Sequence, residues 1–295
     1  MNNGIGAYLS RLRQELDGCD PATVQDALAD AETHLRLAVD SAVASDSGLS
    51  RAAALTAAIE KYGTPEEVAA AYRQIETHTT PSLADKPYDN ESSAPAGFFE
   101  VIIDPRAWGA LVYMLIAMIT GIIYFTWAMS GLSISLSMLI LVIGIPVAGL
   151  FLHSIRGIAL VEGRIVEALL GVRMPRRPSA TRKVIGWWGH FKSLLASSHT
   201  WKVVGYMLLQ LPLGILYFTI TITMLALSLG LLGRPILEDT FDLPIVLGHT
   251  AFFTPGWLMP VVVFLGLIVG VATMHVARWL GRMHGSIARA MLLEK

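Results

Sequence analysis

The sequence predicts an all-α membrane protein: a small helical bundle followed by a four-helix transmembrane bundle built from two tandem parallel hairpin repeats. Three observations lead there. The first is composition: 54% of the 295 residues are hydrophobic and 15% charged, with a mean hydropathy of +0.55, too apolar for an ordinary soluble domain. The second is a phrase the chain repeats. Trp108-x4-Tyr113-Met114-Leu115, then Gly121-Ile122-x-Tyr124-Phe125-Thr126, returns 93 positions later as Trp201-x4-Tyr206-Met207-Leu208, then Gly214-Ile215-x-Tyr217-Phe218-Thr219. The third is that the exits repeat too, now 122 positions apart: His153, Arg156, Gly163, Ile165, Ala168 and Leu170 answer His275, Arg278, Gly285, Ile287, Ala290 and Leu292. The change of offset puts about 29 extra residues inside the second copy, and a duplicated helical hairpin is the simplest account.

The net charge of -1 hides an asymmetry. Residues 1–96 carry 15 acidic and 7 basic side chains, the remainder 8 and 15, so two domains of opposite electrostatic character are expected. The acidic part argues against direct nucleic-acid binding and for a neutral or basic partner. Cys19, the single cysteine, excludes an intrachain disulfide and a clustered thiolate metal site. The first twenty residues lack the apolar core of a signal peptide, so the amino terminus is expected in the cytoplasm.

Residues 1–78 read as an acidic head of four short helices. Ile5, Tyr8, Leu9, Leu12 and Leu16 form one stripe, stopped at Gly18. Asp20-Pro21 starts the second helix, with Val24, Leu28, Ala31, Leu35, Ala38 and Ala42 inward. Gly48-Leu49-Ser50 breaks and recaps the chain, and Leu55, Ile59 and Tyr62 face inward up to Gly63. Thr64-Pro65-Glu66-Glu67 is a capping box ahead of Val68, Tyr72 and Ile75. The alanine-rich core is thin, which favours a homodimer or a docked partner to complete it.

Tyr8-Leu9-Ser10-Arg11-Leu12, Asp26-Ala27-Leu28-Ala29-Asp30-Ala31-Glu32-x-His34-Leu35 and Ala58-Ile59-Glu60-x-Tyr62-Gly63-Thr64-Pro65-Glu66-Glu67-Val68 resemble the HTH-associated α-helical signalling (HAAS) domain. The resemblance implies a bacterial head on a membrane segment, working with winged-helix regulators of the PadR type. On that reading Asp26, Asp30, Glu32, Glu66 and Glu67 are the candidate partner-binding residues.

Residues 79–99 read as a flexible linker, rich in Pro, Ser, Asp and Asn. Residues 100–295 form the transmembrane domain. Spans are expected at about 108–129, 132–153, 203–232 and 257–276, the first turn falling near Ser130-Gly131. Arg156, Arg164, Arg173, Arg176, Arg177, Arg182, Lys183 and Lys192 load the middle connection, and Arg278, Arg282, Arg289 and Lys295 the tail. The third connection has Glu238, Asp239 and Asp242 against Arg234. Positive-inside logic therefore puts the head, middle connection and both termini in the cytoplasm of a bacterial inner membrane. Over residues 182–196, Trp187, Trp188 and Phe191 share a face flanked by Lys183 and Lys192, the composition of an interfacial helix on anionic lipid or of a helix packed on the head. The outer loop 233–255 is acidic, then apolar, and is expected to fold back into the leaflet or to cap the bundle.

No catalytic group, cofactor site or metal site stands out. Ser130, Ser133, Ser135, Ser137, His153 and His275 fit no Gly-x-Ser-x-Gly elbow or His-Glu-x-x-His helix. The repeated pairs His153/Arg156 and His275/Arg278 share helix faces at the bilayer exits. They are candidates for a lipid-headgroup or signal-responsive site, while ordinary positive-inside flanking accounts for the same residues. Trp201-x4-Tyr206-Met207-Leu208-Leu209-x-Leu211-Pro212-Leu213-Gly214-Ile215-x-Tyr217-Phe218 and Leu227-Ser228-Leu229-Gly230-Leu231 are similar to the sensor domain of bacterial membrane signalling proteins. The first copy departs from it with Ile119 opposite Pro212, and no kinase follows. The resemblances imply a non-enzymatic transmembrane sensor that reports through its head to a PadR-type regulator. The alternative is an accessory membrane subunit of a transporter or lipid-modifying complex.

Overall fold

The computed structural model describes residues 3–45, 49–78, 98–138, 144–175, 195–247 and 249–293. The head holds α1 (Asn3–Glu15), α2 (Pro21–Ser45), α3 (Arg51–Tyr62) and α4 (Pro65–His78). After a 3-10 turn at Glu100–Ile102 come α5 (Pro105–Met138), α6 (Gly144–Leu170), α7 (Ser198–Leu232), α8 (Arg234–Asp239), β1 (Ile245–Leu247), β2 (Thr250–Phe252) and α9 (Met259–Leu292). Among the described residues the protein is all-α apart from the β1–β2 ribbon, which pairs Ile245 with Phe252 and Leu247 with Thr250. Helices α5, α6, α7 and α9 are long and apolar enough to cross a membrane. A helix of 34 residues, such as α5, is about 51 Å long. That exceeds the roughly 30 Å of a hydrocarbon core, so its ends project beyond it.

Both repeat offsets are visible in the backbone. Pro105 and Ser198 open α5 and α7, 93 positions apart, and Leu170 and Leu292 close α6 and α9, 122 apart. The first turn is not at Ser130-Gly131. Helix α5 continues through it to Met138, α6 begins at Gly144, and α6 and α9 run well past the expected exits at 153 and 276. Gly131 lies against the ring of Phe151, with no room for a Cβ. It is a packing glycine inside a membrane helix, where the surrounding helices satisfy the backbone, and not a turn. The linker residues 79–97 and the middle-connection residues 176–194 lie outside the described residues, and with them Lys183, Trp187, Trp188, Phe191 and Lys192.

The chain divides into two compact units, one of residues 1–84, 131–206 and 288–295, the other of residues 85–130 and 207–287. In the first, the head packs Tyr8, Leu12, Leu16, Ala27, Ala31, Leu35, Val39, Ala54, Ala58, Val68 and Ala69 into one core. Its helices start as their caps dictate. Asp20 Oδ1 accepts from Ala22 N–H at 2.8 Å, Ser50 accepts from Ala53 N–H, and Thr64 and Glu67 exchange bonds across the first turn of α4. Gly63 holds a φ of +112°, which a Cβ would strain. The Tyr8 hydroxyl donates to its carbonyl at 2.9 Å.

In the second unit α5 and α7 cross where the repeat places its glycines. A Cβ on Gly121 would sit 2.7 Å from the Gln210 carbonyl oxygen, and a Cβ on Gly214 would collide with the Ala117 carbonyl. Ala117 and Gln210 are themselves one repeat apart, so the two contacts are the same contact related by a local two-fold. Such backbone proximity needs glycine on both helices. Further along, the Ser228 hydroxyl donates to the Gly266 carbonyl at 2.9 Å, joining α7 to α9.

Candidate functional site

The second unit buries a polar cluster near the start of α5. Tyr113 is fully buried, about 12 Å along the helix from Pro105. Its hydroxyl lies 2.5 Å from Nε2 of His284 on α9 and accepts from the Gln210 amide of α7 at 3.2 Å. The Tyr217 ring meets the His284 ring edge-on at 5.6 Å. Gln210 and His284 are both 0% exposed. Polar side chains so deep in apolar helices are costly unless bonded to one another, and here three helices contribute one group each. The direction of the bond between Tyr113 and His284 follows the tautomer: a proton on Nδ1 leaves Nε2 to accept from the Tyr113 hydroxyl, and a proton on Nε2 makes it the donor.

The first unit holds the counterpart. Tyr206, one repeat after Tyr113, donates to Glu162 Oε1 at 2.9 Å, and both residues are 1% exposed. Glu162 and His284 are 122 positions apart, the exit offset. Each entrance tyrosine therefore bonds a residue of the other copy's exit helix. Sequence reasoning passed over Glu162, Gln210 and His284 because it collected identities between copies. The signal that finds them is the offset itself, which sets two different titratable residues opposite the two matched tyrosines.

The nominated exit pairs are used differently. His275 stacks on Phe98 at 5.2 Å and its Nε2 lies 3.1 Å from the Phe98 carbonyl. Arg278 bridges Asp104 at 3.0 Å. Together they pin the segment ahead of α5 to α9. His153 is exposed and Arg156 partly buried on α6.

The loop after α7 carries a latch that charge counting did not foresee. Arg234 and Glu238 pair within α8, their side chains 9% and 7% exposed. Glu238 also accepts from the Thr254 backbone N–H at 2.9 Å and the Thr254 hydroxyl at 2.8 Å, while Arg234 donates to the Leu243 carbonyl at 3.2 Å. Burial raises the Glu238 pKa, but the Thr254 bonds and the Arg234 guanidinium outweigh it and leave the carboxyl below its ordinary value.

The family model described as "Putative sensor" matches residues 113–292, more than half of the chain. The chain belongs to the Sensor family. A second family model, HAAS, matches residues 7–71. No curated protein and no solved structure matches the chain. The two domains and the four apolar helices make this a multi-pass membrane protein of sensor type.

In the HAAS domain most of the nominated acids serve the fold. Asp30 accepts from the Tyr72 hydroxyl at 3.2 Å. Glu32 is 8% exposed and bonds Arg36 at 2.5 Å, with burial raising its pKa against that pull. Glu66 bridges Arg11 at 2.8 Å, and its own backbone amide leads the contacts that lower its pKa. Glu67 closes the capping box, and Asp26 is partly buried on α2. Burial, then the carboxylates of Glu66 and Glu67, push the Tyr8 phenol up to about 12. At the turn between α1 and α2, Asp20 Oδ2 bonds Arg289 of the sensor domain at 2.6 Å, and Glu76 accepts from the Asp20 N–H at 2.9 Å.

Proposed function

We propose that this protein is a bacterial cytoplasmic-membrane sensor whose HAAS head, held in the cytoplasm with both termini, binds a winged-helix regulator of the PadR type according to the state of the membrane helices. The observation that carries this reading is the Asp20–Arg289 bridge. It joins the last turn of α9 to the residue that caps α2, so a displacement of α9 is felt at the head. The bridge is 38% and 20% exposed. Such a pair is worth on the order of 0–1 kcal/mol, weak enough to open in a signalling cycle. An acidic head also suits the basic surface of a DNA-binding partner. His153, Arg156, His275 and Arg278 line the cytoplasmic exits on this reading, where anionic headgroups meet the protein.

The test is capture of a PadR-type winged-helix regulator from the same organism by the full-length protein in nanodiscs, at low and at high salt. The reading expects capture, and a several-fold change in apparent affinity for Arg289→Glu that Asp20→Lys restores. No capture at either salt concentration sinks it. Capture that ignores both variants leaves the partner but removes the bridge from the route.

A further inference from the structure

At the end of the second unit opposite Tyr113 and His284, the last turn of α7 and the first turns of α9 enclose an open groove of about 580 Å³, lined by Leu232, Gly256, Met259, Val263, Phe264 and Leu267 among others. The lining carries no charged side chain, and the volume falls in the range of small-molecule sites. Its mouth is built. The Arg234–Glu238–Thr254 latch joins α8, which follows Leu232 at the end of α7, to Thr254, two residues before Gly256 of the lining. The loop also presents charge and aromatic surface. Arg234 and Glu238 neutralise each other, and the remaining acids, Asp239 and Asp242, are exposed. Phe241, Phe253 and Trp257 are 62%, 57% and 78% exposed, as side chains at a membrane interface are.

We propose that this groove binds the alkyl chain of a cationic amphiphile whose headgroup is held by the acidic loop. An apolar slot opening from membrane-spanning helices selects a chain, and the exposed Asp239 and Asp242 select a positive head. Asp239 follows Glu238, whose carboxylate holds Thr254, two residues before Gly256 of the lining, so the charge sits on the segment tied to the groove. A zwitterionic lipid carries a phosphate beside its ammonium and so gains less from that charge, and an anionic one is repelled. The inference supplies a stimulus for the sensor reading, yet the site stands or falls on binding alone, independently of regulator capture.

The experiment uses the full-length protein in phosphatidylcholine nanodiscs, titrated with chain-brominated alkyl trimethylammonium and with the matched brominated alkyl sulfonate. The readout is quenching of Trp257, isolated by difference against Trp257→Phe. Saturable quenching by the ammonium compound is expected at about tenfold lower concentration than by the sulfonate. The double variant Asp239→Asn with Asp242→Asn should erase the difference. A Cβ on Gly256 meets nothing within 4 Å, so Gly256→Leu fills the groove without a backbone collision and should abolish saturation. Equal quenching by both headgroups, or quenching unchanged by Gly256→Leu, overturns the proposal.

Discussion

Tyr113 and Tyr206 occupy one place in the two halves of the repeat and are both buried, yet one bonds an imidazole and an amide and the other a carboxylate. The scaffold around them is held constant. The glycines of the α5–α7 crossing, the tryptophans, the starts of α5 and α7 and the ends of α6 and α9 all repeat. Even the anchoring of the entrance tryptophans does so: Trp108 donates to the Ile102 carbonyl at 2.7 Å, and Trp201 to Leu195 at 2.9 Å. What diverged is the acceptor. Duplication supplied a rigid frame, and the polar groups set into it were free to change chemistry.

The largest effect should come from breaking what the halves share. Gly214→Leu and Gly121→Leu each drive a side chain into a carbonyl of the facing helix, which backbone cannot yield as a rotamer would. Each should cost more than about 3 kcal/mol, at or beyond the upper end for overpacking. Loss of a monodisperse peak in detergent checks it, and a folded, fully stable Gly214→Leu protein would remove the crossing from the account.

The next effect probes what the halves do not share. Tyr113→Phe removes the hydroxyl bonded to His284 and Gln210, and Tyr206→Phe the one bonded to Glu162. Loss of a buried hydrogen bond of this kind costs about 1–3 kcal/mol, so both variants should melt lower than wild type. Glu162→Gln keeps an acceptor for Tyr206 and should recover most of the wild-type stability, whereas Glu162→Leu should not. Thermal unfolding of the four proteins in one detergent orders them.

How much of this was legible in the sequence depends on what each residue was doing. The helix starts, the duplication, the capping box and the membrane class were all readable, because they rest on local chemistry and on identity at fixed offsets. The turn at Ser130-Gly131 was misread because glycine marks either a turn or a close helix contact, and only the Phe151 ring on its face separates the two. In the head the expected stripe on α2 was rotated. Ala27, Ala31, Leu35 and Val39 form the buried line, while Leu28 and Ala38 flank it. Ile75, one of the apolar residues that follow the capping box, is 47% exposed. An alanine-rich helix has little contrast between faces, so its packing partners decide the rotation. The Arg234–Glu238 pair was countable, but its burial beneath Thr254 was not, since that depends on the return of the loop.

The latch also separates the two halves, for it lies among the 29 extra residues of the second copy. The Glu238 carboxyl lies below its ordinary value of 4.5 in the folded protein. A lowered folded-state pKa means stability that is full above about 4.5 and is lost as pH falls through the folded value. Wild type should therefore lose thermal stability on acidification below 4.5. Glu238→Gln should start lower and lose less over the same interval. Parallel acid profiles for the two proteins would assign the acid sensitivity to other carboxylates.

The smallest effect is expected at the second exit pair, where the halves again part company. Arg278 bridges Asp104 ahead of α5, but the residue one repeat after Asp104 is Ser197, which offers no charge to answer Arg156 in the same way. The Arg278 and Asp104 side chains are 35% and 20% exposed, so water screens the pair and Arg278→Ala should cost at most about 1 kcal/mol. What it loosens is local. The segment from Phe98 to Asp104 would then keep the His275 contacts and the Trp108 bond to Ile102 but lose its ion pair to α9, and hydrogen exchange should rise at Ile102 and Ile103 while the α5–α7 crossing stays protected. If exchange rises equally at the crossing, the bridge supports the helices themselves, and the exit pairs belong to the shared frame.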